Sequence, residues 1–444
     1  MSSSLLLSVL FCAHSSFPAM DNPPDGPGEM DGHGSRSLPS RLQAPVALLS
    51  IGRLEVVDQQ IGVTRLMNEP AWTMGIEEEY LLVDRENGEL ISTQPPGLMD
   101  RVTELRYGQV THELFDSQIE IGTGICHNVK QLRADVGLLR WAVNEAAEEY
   151  GLAPIAASTH PIARWKGQQI TEGERYQALT EDLQSLTDRM IISGMHVHVG
   201  IEDPELRIDL MGQVTYFLPH LLALSTSSPF WEGTPTGLKS YRTAVFSPVP
   251  RTGLPEKFDS WAEYERHVEV LVKAGVIEDS TKIWWHIRPS DHYPTLEMRV
   301  TDLPTRMEDT IAIAALYVCL LRMLWRFKTE NLRWRGYASF LIAENLWRAQ
   351  RYGIEGKMID FSKGTLVTFT DLVEEIIGLV QTDAEALGCT EEIDHLRVIC
   401  QRGTSADRQL AVYKKALASG ATDDEAIKAV VDALIADTLM PPEE

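Results

Sequence analysis

The sequence predicts an α+β fold: strands from distant parts of the chain gathered into one antiparallel sheet, helices on one side of it, and a helical C-terminal segment. Three observations carry this. Strand and helix patterns do not alternate regularly, no GxGxxG follows a strand as a doubly wound parallel sheet would have it, and from Arg306 onward the apolar spacing is almost wholly helical. The 444 residues, 44% hydrophobic and 23% charged, suffice for one large core or two modest ones.

Residues 1–66 are expected to be a disordered or dispensable extension. The apolar run from Leu5 to Phe11 lacks the preceding Lys or Arg of a signal peptide, and residues 21–40 are rich in Pro, Gly, Ser and Asp. A single domain then spans 67–438, mostly helical over 306–438, and 439–444 form a fraying tail. Residues 73–84 (TMGIEEEYLLVD) alternate as a strand, and 89–92 pair back onto it after the Asn87-Gly88 turn. Residues 111–121 read as another strand. Over 128–150 the spacing of Val129, Leu132, Val136, Leu139 and Val143 is helical, with Gly151 as the stop. Further strands are expected at 153–157, 193–200, 243–248, 282–288 and 295–301, separated by helices at 173–188, 205–225 and 260–273. The apolar stretch from Ile311 to Trp325 is interrupted by Arg322, so it reads as a buried helix; a membrane span requires about 20 apolar residues.

Forty Lys and Arg against 64 Asp and Glu give a formal charge of -24, which disfavours a nonspecific grip on nucleic acid or an anionic membrane. An acidic protein that handles an anionic substrate needs local countercharge, and divalent cations held by carboxylates are the simplest supply. The five cysteines, Cys12, Cys126, Cys319, Cys389 and Cys400, are scattered and form no CxxC, which argues against a disulfide framework or a zinc knuckle and for a reducing cytoplasm. The segment GTPTGLKS at 233–240 has the wrong spacing for a P-loop, and HExxH and GxSxG are absent.

The period of two along 73–84 sets Gly75, Glu77 and Glu79 on one face and Met74, Ile76, Tyr80 and Leu82 on the other. Two carboxylates on one face repel unless a cation sits between them, although the EEE run alone reads more readily as a solvated edge. In SGMHVHVG, Met195, Val197 and Val199 share the core face while His196 and His198 project oppositely, as either a hydrogen-bonded pair or a metal site. In TLEMRVTD the same parity leaves Glu297 and Arg299 together, and in 282–288 it pairs His286 with Arg288 beside Trp284 and Trp285. Glu113 and Glu120 are seven apart, so both face one site only if a bulge or loop intervenes. Glu, His and Arg recurring on the polar faces of separated strands favour a site over a solvated surface. Oxygen-rich donors suit Mg2+ or Mn2+ more than Zn2+, and Arg242, Arg251, Arg288 and Arg299 are candidate forks for phosphate oxygens.

Six ordered blocks, GIEEEYLLVD, HELFDSQIEIGT, SGMHVHVG, SYRTAVFSPVPRTG, WWHIRPS and TLEMRVTD, resemble the carboxylate-amine ligase family, also called glutamate-cysteine ligase type 2, from about Thr73 to about Leu439. The resemblance implies a glutamine-synthetase-like fold, an antiparallel sheet curled into a partial barrel with helices outside, cradling ATP and Mg2+. It implies phosphorylation of the γ-carboxylate of L-glutamate by ATP and attack by the amine of L-cysteine on that acyl phosphate. It implies metal ligands at Glu77, Glu79, Glu113, Glu120, His196 and Glu297, and the nucleotide-binding arginine at Arg242, with Arg251 and Tyr241 beside it. Arg299 and Arg288 are then the catalytic candidates, and residues 229–237 or 248–255 a cover that keeps water from the acyl phosphate. The expected partners are amino acids and ATP, with no nucleic acid and no membrane, and a homodimer is the expected assembly. The same chemistry on another carboxylate or amine, a metal-dependent phosphohydrolase, and a noncatalytic nucleotide sensor are the competing readings.

Overall fold

The computed structural model describes residues 68–106 and 109–440; the expected N-terminal extension and the last four residues of the tail lie outside them. Seven strands form the main sheet: β1 (Met74–Asp84), β2 (Val110–His112), β3 (Gln118–Gly122), β4 (Leu152–Ile155), β5 (Met195–Gly200), β6 (Ile287–Pro289) and β7 (Thr295–Met298). Their order is β6-β7-β5-β1-β3-β2, with β4 also beside β1, and every pairing is antiparallel. Among the described residues β2 and β6 each have a single neighbour, so no closed barrel forms.

The longest strand, β1, holds the sheet together. It pairs with β3 from Glu77 to Leu81 along one edge, and along the other with β5 from Met74 to Glu78 and then with β4 from Leu81 to Asp84. Its alternation buries Met74, Ile76, Tyr80 and Leu82 in the main core, together with apolar residues of the helices Val129–Glu148 and Met307–Thr329. The first helix starts where Asn128 accepts from the Gln131 amide at 2.9 Å. The second is long and apolar enough, at mean hydropathy 1.6, to cross a membrane by length and composition, but 78% of its apolar window is buried inside the fold. Its Arg322 pairs with Asp383 and Glu69.

The opposite face of β1 changes character along its length. Glu77 and Glu79 are followed on it by Leu81 and Val83, which enter a second core with Ala153, Ile155 and Phe230 and with Ile427, Val430 and Leu434 of the C-terminal helix Asp423–Thr438. Helices therefore pack on both sides of the sheet, not on one as expected. The apolar half of this face bounds the polar half.

Three expected strands differ. Residues 243–248 lie in and just beyond the short helix Tyr241–Phe246, because the Tyr241 and Arg242 amides, unpaired at a helix start, donate to the Ser228 carbonyl and hydroxyl at 2.9 and 3.1 Å. The 111–121 segment divides into β2 and β3 around a turn closed by the Gln118 amide on the Phe115 carbonyl. The 282–288 segment divides into Trp284–Trp285, which pairs in parallel with Thr252–Gly253, and β6. The expected 205–225 helix runs in three pieces, Pro204–Val214, Thr215–Phe217 and Leu218–Ser225, with Pro219 at the start of the last, where a missing N–H is tolerated. Beyond Arg306 the helices are interrupted by the irregular segment 330–338 and by the hairpin Lys357–Asp360 and Thr365–Thr368.

Candidate active site

Register brings the polar residues of five strands together. Glu77 lies across from His196 on β5, and Glu79 across from Glu120 on β3. His198 lies across from Glu297 on β7, and Glu297 across from Arg288 on β6. Ligand atoms of Glu77, His196 and Glu297 all lie within 4.8 Å of one another. Glu77 meets His196 Nδ1 at 3.1 Å and His198 Nε2 at 3.4 Å. Burial would raise the Glu77 carboxyl, but hydrogen bonds from the two imidazoles hold it well below the usual carboxylate range.

Glu79 behaves oppositely. Burial, and then the charge of Glu120 facing it, push its carboxyl up to about 7, even though Arg242 and the Gly194 amide, which donates to it at 2.7 Å, favour the ionised form. His196 Nε2 stands 3.9 Å from Glu79 Oε1 and, though buried, has no hydrogen-bond partner. With Nδ1 turned to Glu77, the Nε2 lone pair is free for a ligand. Burial, then the Arg299 charge, lower the His196 pKa to about 4, so the ring is neutral and competent as a donor near neutral pH. Carboxylates with one imidazole match the chemistry of Mg2+ or Mn2+, and the orphaned nitrogen beside the Glu79–Glu120 pair is where such an ion fits.

Arginines frame this cluster. Glu297 receives Arg288 Nε at 2.8 Å and also the Arg299 guanidinium; against burial, these two charges hold Glu297 below its ordinary range. Arg299 Nη1 also reaches His196 Nδ1 at 3.4 Å. Arg242, buried, donates from both terminal nitrogens to the Arg299 carbonyl at 3.4 Å. Its guanidinium lies so close to Gly194 that a Cβ there would fall 2.4 Å from Nη2, so the glycine of SGMHVHVG makes room for it. The Arg242 segment is fixed to the end of the β7 segment by Asp302, which accepts from the Ser227 amide and from the Ser228 and Ser240 hydroxyls at 2.8 to 2.9 Å.

The remaining candidates make other contacts. Glu113 occupies the turn after β2, where its carboxylate accepts from the Leu114 amide at 2.8 Å; it is Thr111, not Glu113, that faces Glu120 in register and donates to it at 3.1 Å. Arg251 donates to the Lys282 carbonyl and lies over the Trp284 ring at 5.3 Å, so its contacts run away from the carboxylates. Tyr241 packs on Trp231 at 5.3 Å. Sequence reasoning passed over Glu78, Gly194 and Asp302. It also left His198 out of the ligand set, although the HxH spacing marks it. Only the register reveals its place between Glu77 and Glu297.

The family model for glutamate-cysteine ligase family 2 matches residues 73–433. A Rhodospirillum rubrum protein provisionally named glutamate-cysteine ligase 2 is 57% identical over 379 residues, covering 84% of this chain and 97% of that protein. A Jannaschia protein of the same provisional name is 48% identical, covering 84% and 99%. Among solved structures, glutamate-cysteine ligase from Francisella tularensis in complex with AMP aligns over 84% of this chain and 89% of its own, with TM-score 0.59 at 13% identity. A bifunctional glutathione synthetase from Pasteurella multocida aligns over 83% of this chain and 52% of its own, with TM-score 0.60, also at 13% identity. The structures show a fold shared with these two proteins. Every strand that brings a carboxylate, imidazole or arginine to the cluster falls inside the matched span, and the chain belongs to glutamate-cysteine ligase family 2.

Proposed function

We propose that this protein is an ATP-dependent and Mg2+-dependent ligase that joins L-glutamate to L-cysteine through γ-glutamyl phosphate, giving γ-glutamylcysteine, ADP and phosphate. The observation behind it is the convergence of Glu77, His196 and Glu297 within 4.8 Å, between the Glu79–Glu120 pair and the Arg288–Arg299 forks. That the F. tularensis ligase sharing the fold was solved with AMP supports nucleotide use. Glu77, Glu79, Glu120, His196 and Glu297, joined by Glu113 from its turn, would hold the metal ions, which screen the charge of the triphosphate. Arg242, with Tyr241 and Arg251 beyond it, holds the nucleotide phosphates, the sheet curling under them as a partial barrel. Arg299 and Arg288 steady the transferring phosphoryl group.

The γ-carboxylate oxygen attacks the terminal phosphorus and ADP leaves. The amine nitrogen then attacks the acyl carbon, the C–O bond to phosphate breaks, and the amine gives up one proton as the amide forms. Neither step requires a Ser or Cys nucleophile. A cytoplasmic, homodimeric enzyme accompanies this reading, in keeping with the free thiols of Cys126, Cys319, Cys389 and Cys400.

The test is an ADP-release assay with Mg2+ and ATP across pairs of amino acids, with product masses read in parallel. ADP formation that requires both glutamate and cysteine, with the mass of γ-glutamylcysteine, is the expected result. ADP formation indifferent to every amine would overturn the ligase, and a different productive pair would replace the substrates while keeping the chemistry.

A further inference from the structure

A cleft of about 510 Å³ opens at the loop joining β6 to β7, lined by Arg207, Trp261, Tyr264, Ser280, Asp291 and Tyr293 among others. It adjoins the carboxylate cluster through His198. That ring packs edge-on against Tyr293 at 6.4 Å and binds Thr295 at 2.9 Å, while its other nitrogen stands 3.4 Å from Glu77.

Arg207 is the anomaly in this cleft. It projects from the helix Pro204–Val214, whose start Asp203 fixes by accepting from the Glu205 and Leu206 amides. Only 8% of the residue is exposed, and its guanidinium lies 4.9 Å over the Trp261 ring. Its one hydrogen bond is a long 3.5 Å contact to the Tyr293 carbonyl, and Nε is buried without a partner. No carboxylate among the described residues forms an ion pair with it. Of the other buried arginines, Arg140 is matched by Glu78, and Arg242 has two bonds to the Arg299 carbonyl where Arg207 has one. Burial works against the Arg207 charge while Asp203 and Glu202 favour it from a distance, and a carboxylate bound at the guanidinium would supply the paired anion it lacks. The same cleft carries Asp291, which accepts from Ser280 at 2.6 Å, and Glu265, with the aromatic faces of Trp261 and Tyr264 between the two signs of charge. One cation, nearby acids and an aromatic wall suit a zwitterion.

We propose that this cleft binds the amine substrate as an α-amino acid, with its carboxylate on the Arg207 guanidinium beside the carboxylate cluster. The inference rests on the ligase reading and narrows it, since amines without a carboxylate become poor acceptors. The test takes the most active acceptor from the amine screen and compares it with its decarboxylated analogue, L-cysteine with cysteamine first. In the wild-type enzyme kcat/KM is expected to favour the amino acid by about tenfold or more, the worth of one charge-assisted hydrogen bond. In Arg207→Gln that preference collapses through a raised KM for the amino acid while the KM for ATP holds, and Arg207→Lys restores part of it. Equal use of both amines by the wild type, or an Arg207→Gln enzyme that keeps the preference, would overturn the proposal with the ligase intact. A screen in which no amine releases ADP would strike the ligase reading itself and remove the cleft's role with it.

Discussion

Three consecutive glutamates on β1 meet two different fates. Glu78 points into the core, fully buried, where Arg140 grips it with two nitrogens at 2.6 and 2.9 Å, Thr310 donates at 2.9 Å and Tyr80 donates as well. Arg140 is in turn satisfied by the Thr305 and Pro304 carbonyls. Every charge there has its counterpart, so the arrangement supports the fold and offers nothing to a ligand. Glu77 and Glu79, one residue to either side, face imidazoles, another carboxylate and shared arginines, with a ring nitrogen left unpaired. The same residue type thus does structural work where its partners are complete and, under the proposed function, takes a ligand where they are not.

The sharpest way to break this contrast is to neutralise each side in turn. Glu77→Gln should lower ADP release by about a thousandfold through lost electrostatic stabilisation while lowering the urea unfolding midpoint less than Glu78→Gln does. Glu78→Gln should do the reverse: an Arg140 left buried and uncompensated costs about 3–5 kcal/mol, seen as a lower unfolding midpoint. Equal loss of stability in both variants would erase the distinction.

The histidines sharpen it further. His160 and His220 are 3% exposed and lie outside the cluster, and burial lowers both to about 4. Their folded pKa values lie below the unfolded value near 6.5, so the stability gained by the neutral rings is full above that pH. It is lost as the pH falls toward 4, by up to about 3 kcal/mol per ring. Urea titrations at pH 7 and pH 5 should show the loss, and His220→Phe should flatten it. The smallest expected effect is local. Gly194→Ala places a methyl against the Arg242 guanidinium and should raise the KM for ATP by about tenfold, with kcat changed less, as lost ground-state binding would appear.

Much of this site was legible because β-strand parity needs only local sequence. Glu77 with Glu79, His196 with His198, and Glu297 with Arg299 were paired by counting in twos; the strands carry the first two pairs as counted, and Arg299, one residue past β7, still meets Glu297. What parity cannot supply is register. That Glu120 rather than Glu113 faces Glu79, and that Thr111 faces Glu120, depends on a turn whose closing bonds come from Phe115 and, across the chain, from Thr171. Alternation also misled at 243–248, where a short apolar run fits helix and strand equally and Ser228, remote in sequence, decides for the helix. Glu78 went unread for a related reason: its partner Arg140 sits 62 residues away on a helix, and nothing in EEE separates the middle carboxylate from its neighbours.

Asp302 ties together the two arginines that the proposed function sets on the phosphates. It lies three residues after Arg299 and holds Ser240, two residues before Arg242, while Arg242 leans on the Arg299 backbone. The two cationic fingers are thus hinged on one knuckle, and a graft that swaps the arginine-bearing segment without its serines would set them out of step.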